Sequence, residues 1–188
     1  MWPYTPRKIG PWVQLKPQAG TKSPAARVDH IMGTTATDRF FIHGGRGNLS
    51  DAATPMADVW EATITGGQVQ WTQLQIALGP LHSHRVAALG FHSFLISGGL
   101  SRRLTVTSNL DDLEQNVERM RFIMVNVRNR DVHTVKAASL STVRFPSLGV
   151  STDPDYAWAY GGLLGKTAKS GITKFMVSPT SNPNDVKT

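Results

Sequence analysis

Three copies of one short motif constrain the fold of this chain more than any other feature of its sequence. Each copy is an apolar run that stops at two adjacent glycines: FFIHGG at 40–45, FLISGG at 94–99 and AWAYGG at 157–162. Short runs of β-branched and aromatic residues that end at glycine are typical of β-strands. Glycine permits the positive φ and the close backbone contacts that a turning strand needs. We therefore interpret the chain as a set of internal repeats.

Further strands flank each diglycine. A short strand is predicted before it in every copy, shortly after a proline, at 27–32, 84–89 and 147–152. After the first diglycine, two alternating runs at 57–64 and 68–75 enclose a TGG turn, which predicts a β-hairpin. The second copy repeats this hairpin at 120–127 and 131–137. Each repeat therefore has four strands, a to d, with the diglycine after strand b.

Four-stranded units that recur every roughly fifty to sixty residues are typical of propeller blades. The chain resembles the kelch-repeat family in its diglycines, its strand-c aromatics and the tryptophan of strand d: Gly44, Gly45, Gly98, Gly99, Gly161, Gly162, Trp60, Phe122, Phe175 and Trp71. His133 stands where the second blade should have that tryptophan, so this blade diverges. The resemblance implies an all-β fold of kelch-type β-propeller blades, each of four antiparallel strands. It also assigns these matched residues a structural role, with Trp71 packed between blades.

The repeats divide the chain into an N-terminal extension at 1–11 and one partial propeller domain at 12–188. Within this domain, WVQLKP at 12–17 matches the start of strand d and is interpreted as a lone d strand. Blade one is predicted at 24–76, blade two at 80–137, and blade three at 146–188 without its d strand. Since propellers have about four to eight blades, three make an incomplete ring. We expect further blades to complete a six-bladed ring, in which residues 12–15 pair with a strand from outside this chain or the third blade receives a d strand from outside it.

Composition bounds the class of protein. The net charge is +7, with a pI near 10.1, which indicates an acidic partner or surface. No apolar run approaches the roughly 20 residues that span a membrane, and the N-terminus lacks the apolar region of a signal peptide. The absence of cysteine excludes disulfides and thiolate chemistry within the sequence. A cytoplasmic or nuclear location fits these features better than secretion.

Candidate catalytic and metal-binding motifs are weak. GGRG at 44–47 lacks the phosphate-binding pattern, and no G-x-S-x-G motif is present. The HSH motif supplies two imidazoles, His82 and His84, but no adjacent cysteine or carboxylate to complete a metal site. Alternation places His43 with Phe41 in the core. Some propellers resembling kelch proteins are copper oxidases with a cysteine-linked tyrosine, which this sequence cannot form. We therefore expect no catalytic, metal or cofactor site.

The most individual segment is the insertion at 100–120, between strands b and c of blade two. Within it, Leu110, Leu113, Val117 and Met120 follow helical spacing. Ser108 or Asn109 could cap this helix. The segment is interpreted either as a short helix packed on the blade or as an element that binds a partner.

Three functions remain open. The favoured one is a protein-binding scaffold or adaptor whose basic loop face binds an acidic partner, with another chain or segment completing the propeller. The residues proposed for that face lie in the b–c and d–a loops: Arg46, His82, His84, Arg102, Arg103, Arg144, Lys166 and Lys169. The second function is a structural subunit of a large assembly that includes nucleic acid, a less favoured partner. The third is part of an enzyme whose site lies in the missing blades.

Overall fold

The computed structural model describes residues 10–36, 38–48, 54–88, 92–101, 122–135, 143–144, 147–150, 156–164, 167–168 and 170–176. All the regular secondary structure in these ranges is β, which confirms the predicted all-β class. Among these residues, no helix is long and apolar enough to cross a membrane. The predicted helix at 108–120 lies outside the described residues.

The first and second sheets are built from strands that follow one another along the chain. The first contains β1 (Lys16–Pro17), β2 (Ile31–Ala36), β3 (Arg39–His43), β4 (Val59–Thr65) and β5 (Gln68–Leu74). Their spatial order is β1-β5-β4-β3-β2, and every pairing is antiparallel except β1 with β5. The second sheet is the antiparallel series β6 (Arg85–Ala88), β7 (Ser93–Ser97), β8 (Phe122–Asn126) and β9 (Asp131–Val135).

The third sheet and a small accessory sheet come from the last part of the chain. The small sheet pairs β10 (Val143–Arg144) with a hairpin of β13 (Leu163–Leu164) and β14 (Thr167–Ala168). The third sheet has the order β11 (Ser147–Val150), β12 (Tyr156–Tyr160) and β15 (Ile172–Met176). None of the sheets formed by the described residues closes on itself. The predicted hairpins and diglycine strands thus form, with ends displaced by one to a few residues.

The three larger sheets share one register at their diglycines. In each sheet, the first residue of the strand before the diglycine strand pairs with the last residue before the two glycines. These pairs are Ile31–His43, Arg85–Ser97 and Ser147–Tyr160. The residue that follows each diglycine then bridges back to the residue three places before that first strand: Arg46 to Val28, Leu100 to His82 and Leu163 to Arg144. We call this end of each sheet the diglycine end.

The diglycine ends require backbone conformations that glycine adopts most readily. The first glycine of every pair has φ of 67°, and the second has φ of 90°, 97° or 100°. On the opposing segment, the residue after the bridge also has positive φ in the first two sheets, 57° at Asp29 and 56° at Ser83. Non-glycine residues adopt this region infrequently, so its recurrence at equivalent positions reflects one repeated local structure.

The core lies between the first and second sheets. Phe41 and Val59 of the first sheet belong to the same buried cluster as Phe94, Ile96 and Val125 of the second. The Phe41 and Phe94 rings are 4.1 Å apart at their centroids and tilted by 52°. The first strand of the second sheet, β6, contacts both β2 of the first sheet and β11 of the third. Burying these aromatic and aliphatic side chains joins the two sheets, at about 1.5–3 kcal/mol for each fully buried side chain.

The start of the chain differs from the lone strand predicted at 12–17. Residues 12–15 lie outside the strands, and Trp12 is 98 % exposed. Only Lys16 and Pro17 form a strand, which pairs in parallel with Gln68 and Val69 of the same chain. The pairing is limited to these two residues of β1, and the Gln18 N–H continues it with a hydrogen bond to the Val69 carbonyl. The predicted pairing of residues 12–15 with a strand outside the chain stays a prediction.

Candidate functional site

The first diglycine is the point at which the first and second sheets are hydrogen-bonded to each other. The Gly45 N–H donates to the Leu81 carbonyl at 2.7 Å, and the Met56 N–H donates to the Gly45 carbonyl at 2.8 Å. The Ser83 N–H donates to the Asp29 carbonyl at 2.9 Å. These bonds satisfy backbone groups that burial would otherwise leave unpaired. We call this cluster, with the side chains described next, the joint.

Two buried histidines lie at the centre of the joint. His43 Nδ1 lies 3.1 Å from His84 Nε2, and His43 Nε2 lies 3.0 Å from the Gly79 carbonyl oxygen. Because a carbonyl only accepts, His43 must carry its proton on Nε2, and its Nδ1 then accepts the Nε2 proton of His84. His84 Nδ1 is left without a hydrogen-bond partner. Each imidazole is therefore assigned as neutral, with a defined tautomer.

Burial shifts the titration of both rings. Desolvation lowers the pKa of His43 to about 4 and that of His84 to about 3. The proximity of the two rings lowers the pKa of His84 further, because a charge on one disfavours a charge on the other. The pair is consequently uncharged at neutral pH. The alternation of strand b predicted a core position for His43, and its complete burial confirms it.

An ion pair between Arg27 and Asp58 lies beside the first diglycine. Arg27 donates to both carboxylate oxygens of Asp58, at 2.8 and 2.7 Å, and also to the Gly44 carbonyl at 3.0 Å. The Trp60 indole N–H donates to the same carboxylate. Bonds from Arg27 lower the pKa of Asp58 below its usual value, and the Trp60 bond acts in the same direction. The Arg27 side chain is only 3 % exposed, whereas that of Asp58 is 26 % exposed, so the pair holds a buried guanidinium against the first diglycine.

The predicted basic face is only partly within the described residues. Arg46 lies at the first diglycine end, where its guanidinium contacts the Asp29 carboxylate at 2.7 Å and its side chain is 13 % exposed. Arg144 lies in β10, paired with Leu163 at the third diglycine end. The other predicted basic residues lie outside the described ranges: Arg102, Arg103, Lys166 and Lys169. Arg46 is therefore paired with a carboxylate, and the assignment of Arg46 and Arg144 to a face that binds a partner stays a prediction.

His82 and His84 differ from the prediction that they contact a partner. Both are buried, at 3 % and 2 % exposure, because the segment before β6 is inserted between the two diglycine ends. His84 bonds to His43, and His82 Nδ1 lies 3.1 Å from the Ser83 hydroxyl. Within the described residues, no group of three or more histidines or carboxylates is placed to hold a metal ion. The two histidines join sheets rather than offer a binding surface.

Sequence reasoning missed an exposed apolar groove on the third sheet. It has a volume of about 450 Å³ and is lined by Leu148, Gly149, Trp158, Tyr160 and Ile172. Lys174 lies on the same face, with its ammonium 5.4 Å from the centre of the Trp158 ring. The AWAY run alternates as a strand should, and the structure shows that Ala157 and Ala159 are on its buried face whereas Trp158 and Tyr160 point outward.

Comparisons with known proteins bear on the fold alone. No protein-family model matches the chain, and no curated protein matches it. A structural match is a fungal alcohol oxidase described as having catalytic diversity among the AA5 family, solved in complex with copper. The TM-score is 0.57 at 12 % sequence identity, over 76 % of this chain and 28 % of the oxidase chain. The chain thus resembles about a quarter of that protein in fold.

Proposed function

We propose that this chain is a non-catalytic scaffold of kelch-type propeller blades that binds an acidic segment of another protein at its diglycine ends, in a ring that further blades complete. The observation that carries the proposal is the recurrence of one diglycine geometry in three successive sheets. The contacts of β6 with β2 and β11 support a radial arrangement with the three first strands innermost.

The common geometry gives the loops a common direction. In each sheet, the strand before the diglycine and the strand after it are antiparallel, so the connecting loop leaves from the diglycine end. The bridges bring the segment that enters each sheet to the diglycine end of that same sheet. Loops gathered at one end of a rigid β-scaffold form a surface that can vary without disturbing the core.

The charge at this end is expected to be positive. The chain has a net charge of +7, and the loop after Leu100 begins with Ser101, Arg102 and Arg103. In the sequence, Lys166 falls between β13 and β14, and β13 pairs with β10, which contains Arg144. Arginine suits the recognition of carboxylates because its planar guanidinium can donate two parallel hydrogen bonds. These features favour a partner segment rich in Asp or Glu.

The test compares two doubly substituted chains with the same net charge. Arg102→Ser/Arg103→Ser removes two cations from the loop that leaves the second diglycine end. Arg128→Ser/Arg130→Ser removes two from the β8–β9 turn, at the opposite end of the same sheet. Binding of a fluorescent glutamate-rich peptide is measured by anisotropy. We expect the first variant to bind at least about tenfold more weakly, and the second to bind as the unmodified chain does.

Two outcomes would count against the proposal. Equal losses in both variants would indicate attraction to the net charge without a defined face. Tighter binding of a single-stranded RNA probe than of the peptide, with a strong dependence on salt, would favour a subunit of a nucleic-acid assembly instead.

A further inference from the structure

Where the first and second sheets meet, an aromatic ring lies over a glycine of the neighbouring sheet. We call the position of this glycine the aromatic seat. Phe94 of the second sheet lies over Gly33 of the first, so close that a Cβ on Gly33 would be 2.6 Å from the Phe94 ring. Gly33 pairs with Phe41, whose ring packs against Phe94. The missing side chain at position 33 is what admits the ring. Phe41 and Phe94 are both fully buried in this contact.

The third sheet has an equivalent aromatic seat at Gly149, but no aromatic ring of the described residues lies over it. Gly149 pairs with Trp158 as Gly33 pairs with Phe41, and each glycine is the third residue of its strand. In the same register, Tyr160 corresponds to His43 and Ile172 to Val59. His43 and Val59 are fully buried, whereas Tyr160 is 55 % and Ile172 68 % exposed. A Cβ on Gly149 would meet nothing within 4 Å.

The first sheet carries a ring that could occupy this seat. Phe40 lies three residues before the last residue of β3, as Phe94 lies three residues before the last residue of β7. Phe40 pairs with Thr34 and Ala62, at the positions where Phe94 pairs with Ala88 and Val125. The face that contains Phe40 also contains Met32, which is 59 % exposed. The equivalent residue in the second sheet, Val86, packs against the core shared with the first sheet.

We propose that a second copy of this chain docks head to tail on the third sheet, with its Phe40 over Gly149 and against Trp158. The inference rests on the proposed blade arrangement. The contact of Phe94 with Gly33 is its template, and the chain carries both halves of that template at its two outer sheets. Two such contacts would join two chains into a closed ring of six sheets, which lies within the usual range for propellers.

The mass of the full chain in solution tests this proposal. Light scattering across a concentration series should show a particle of twice the chain mass of 20.5 kDa. Gly149→Val should fold, because the position is open, has no positive φ and lies in a strand. The added side chain should block the seat and weaken self-association about 30-fold or more. Gly171→Val, also in open space at the edge of the same sheet, is the matched control and should leave the dimer intact.

A mixing experiment distinguishes head-to-tail docking from a symmetric contact. The Phe40→Ala chain should also be monomeric, because it lacks the aromatic side chain that docks, although its Gly149 is unchanged. In a mixture of the two variants, the Gly149→Val chain keeps its Phe40 side chain and the Phe40→Ala chain keeps its open Gly149. A heterodimer should therefore form through that one contact. A monomeric unmodified chain at all concentrations would overturn the proposal, as would a dimer that Phe40→Ala leaves unchanged. Peptide binding by the monomer would still report separately on the proposed scaffold function.

Discussion

His84 donates its Nε2 proton to Nδ1 of His43, which in turn donates from Nε2 to the Gly79 carbonyl, so a directed series of hydrogen bonds crosses the joint. This series requires a neutral His43, since a protonated His43 Nδ1 would present a donor to the Nε2 donor of His84. Protonation of His84 would instead place a charge on a buried ring. Protonation therefore acts on the contact between two sheets. The stability of the fold should depend on pH in a window set by these two residues.

The first prediction concerns that window. Both folded-state pKa values, about 4 and about 3, lie below the ordinary value of 6.5. The unfolded chain therefore binds more protons below pH 6.5, and the contribution to stability, complete above that pH, is lost as the pH falls. The free energy of unfolding in urea should decrease between pH 6.5 and 5 by up to about 2.7 kcal/mol per pH unit.

The His84→Gln variant is the control for this prediction. A glutamine amide can donate to His43 Nδ1 but does not titrate. The slope of stability against pH should therefore fall to about half. An identical slope in both chains would assign the pH dependence to other groups.

The second prediction concerns Asp58. Replacement by Asn leaves the almost fully buried Arg27 guanidinium without its carboxylate and should destabilise the fold by about 2–4 kcal/mol in urea denaturation. Glu61→Gln is the matched comparison, because the Arg39–Glu61 pair is 4.0 Å apart and partly exposed. It should change stability by less than about 0.5 kcal/mol. Similar losses from both substitutions would contradict the role assigned to Arg27.

The third prediction separates backbone strain from steric conflict at the diglycine. Gly66 has φ of 59° and open space around its missing side chain, so Gly66→Ala should cost about 1 kcal/mol from strain alone. Gly45 has φ of 90°, and a Cβ there would lie 2.6 Å from the Val28 carbonyl oxygen. Gly45→Ala should therefore cost about 3 kcal/mol or more. Equal costs in thermal or urea unfolding would show that the space around Gly45 does not matter.

The fourth prediction ranks two tryptophans. Within the chain, Trp71 contacts Phe40 of its own sheet at 5.6 Å between ring centroids, and its packing between blades stays a prediction. Because Trp71 is only half-buried, Trp71→Ala should cost about 1–2 kcal/mol. Trp60 is buried and bonded to Asp58, so Trp60→Ala should cost about 3–5 kcal/mol. The reverse order in urea unfolding would refute this ranking.

The strands could be predicted from the sequence because periodicity and glycine placement are local properties. The hairpin predicted at 57–64 and 68–75 is observed as Val59–Thr65 and Gln68–Leu74. The strand predicted at 27–32 begins instead at Ile31, because Asp29 adopts positive φ and Val28 forms an isolated bridge to Arg46. Nothing in the local pattern distinguishes that aspartate from one in an extended strand.

The joint and the groove could not be predicted in the same way. The HSH motif indicates imidazoles but not their burial, which depends on His43 reaching across from another sheet. The groove depends on which face of the third sheet lacks a neighbour, and alternation alone gives two faces without saying which is covered. Aligning Gly33 with Gly149 in the sequence would have been the available signal, but it needs the register of both sheets to be interpreted.

Pro17 has a consequence for how the first sheet can grow. The Gln18 N–H donates inward to the Val69 carbonyl at 2.8 Å, so strand alternation directs the nitrogen of residue 17 outward, away from β5. That nitrogen carries no proton. A strand arriving at this edge would find no donor where a ladder needs one, and the adjacent Lys16 adds a charge that disfavours polymerisation. The outer border of the first sheet is thereby protected against fibril-like extension.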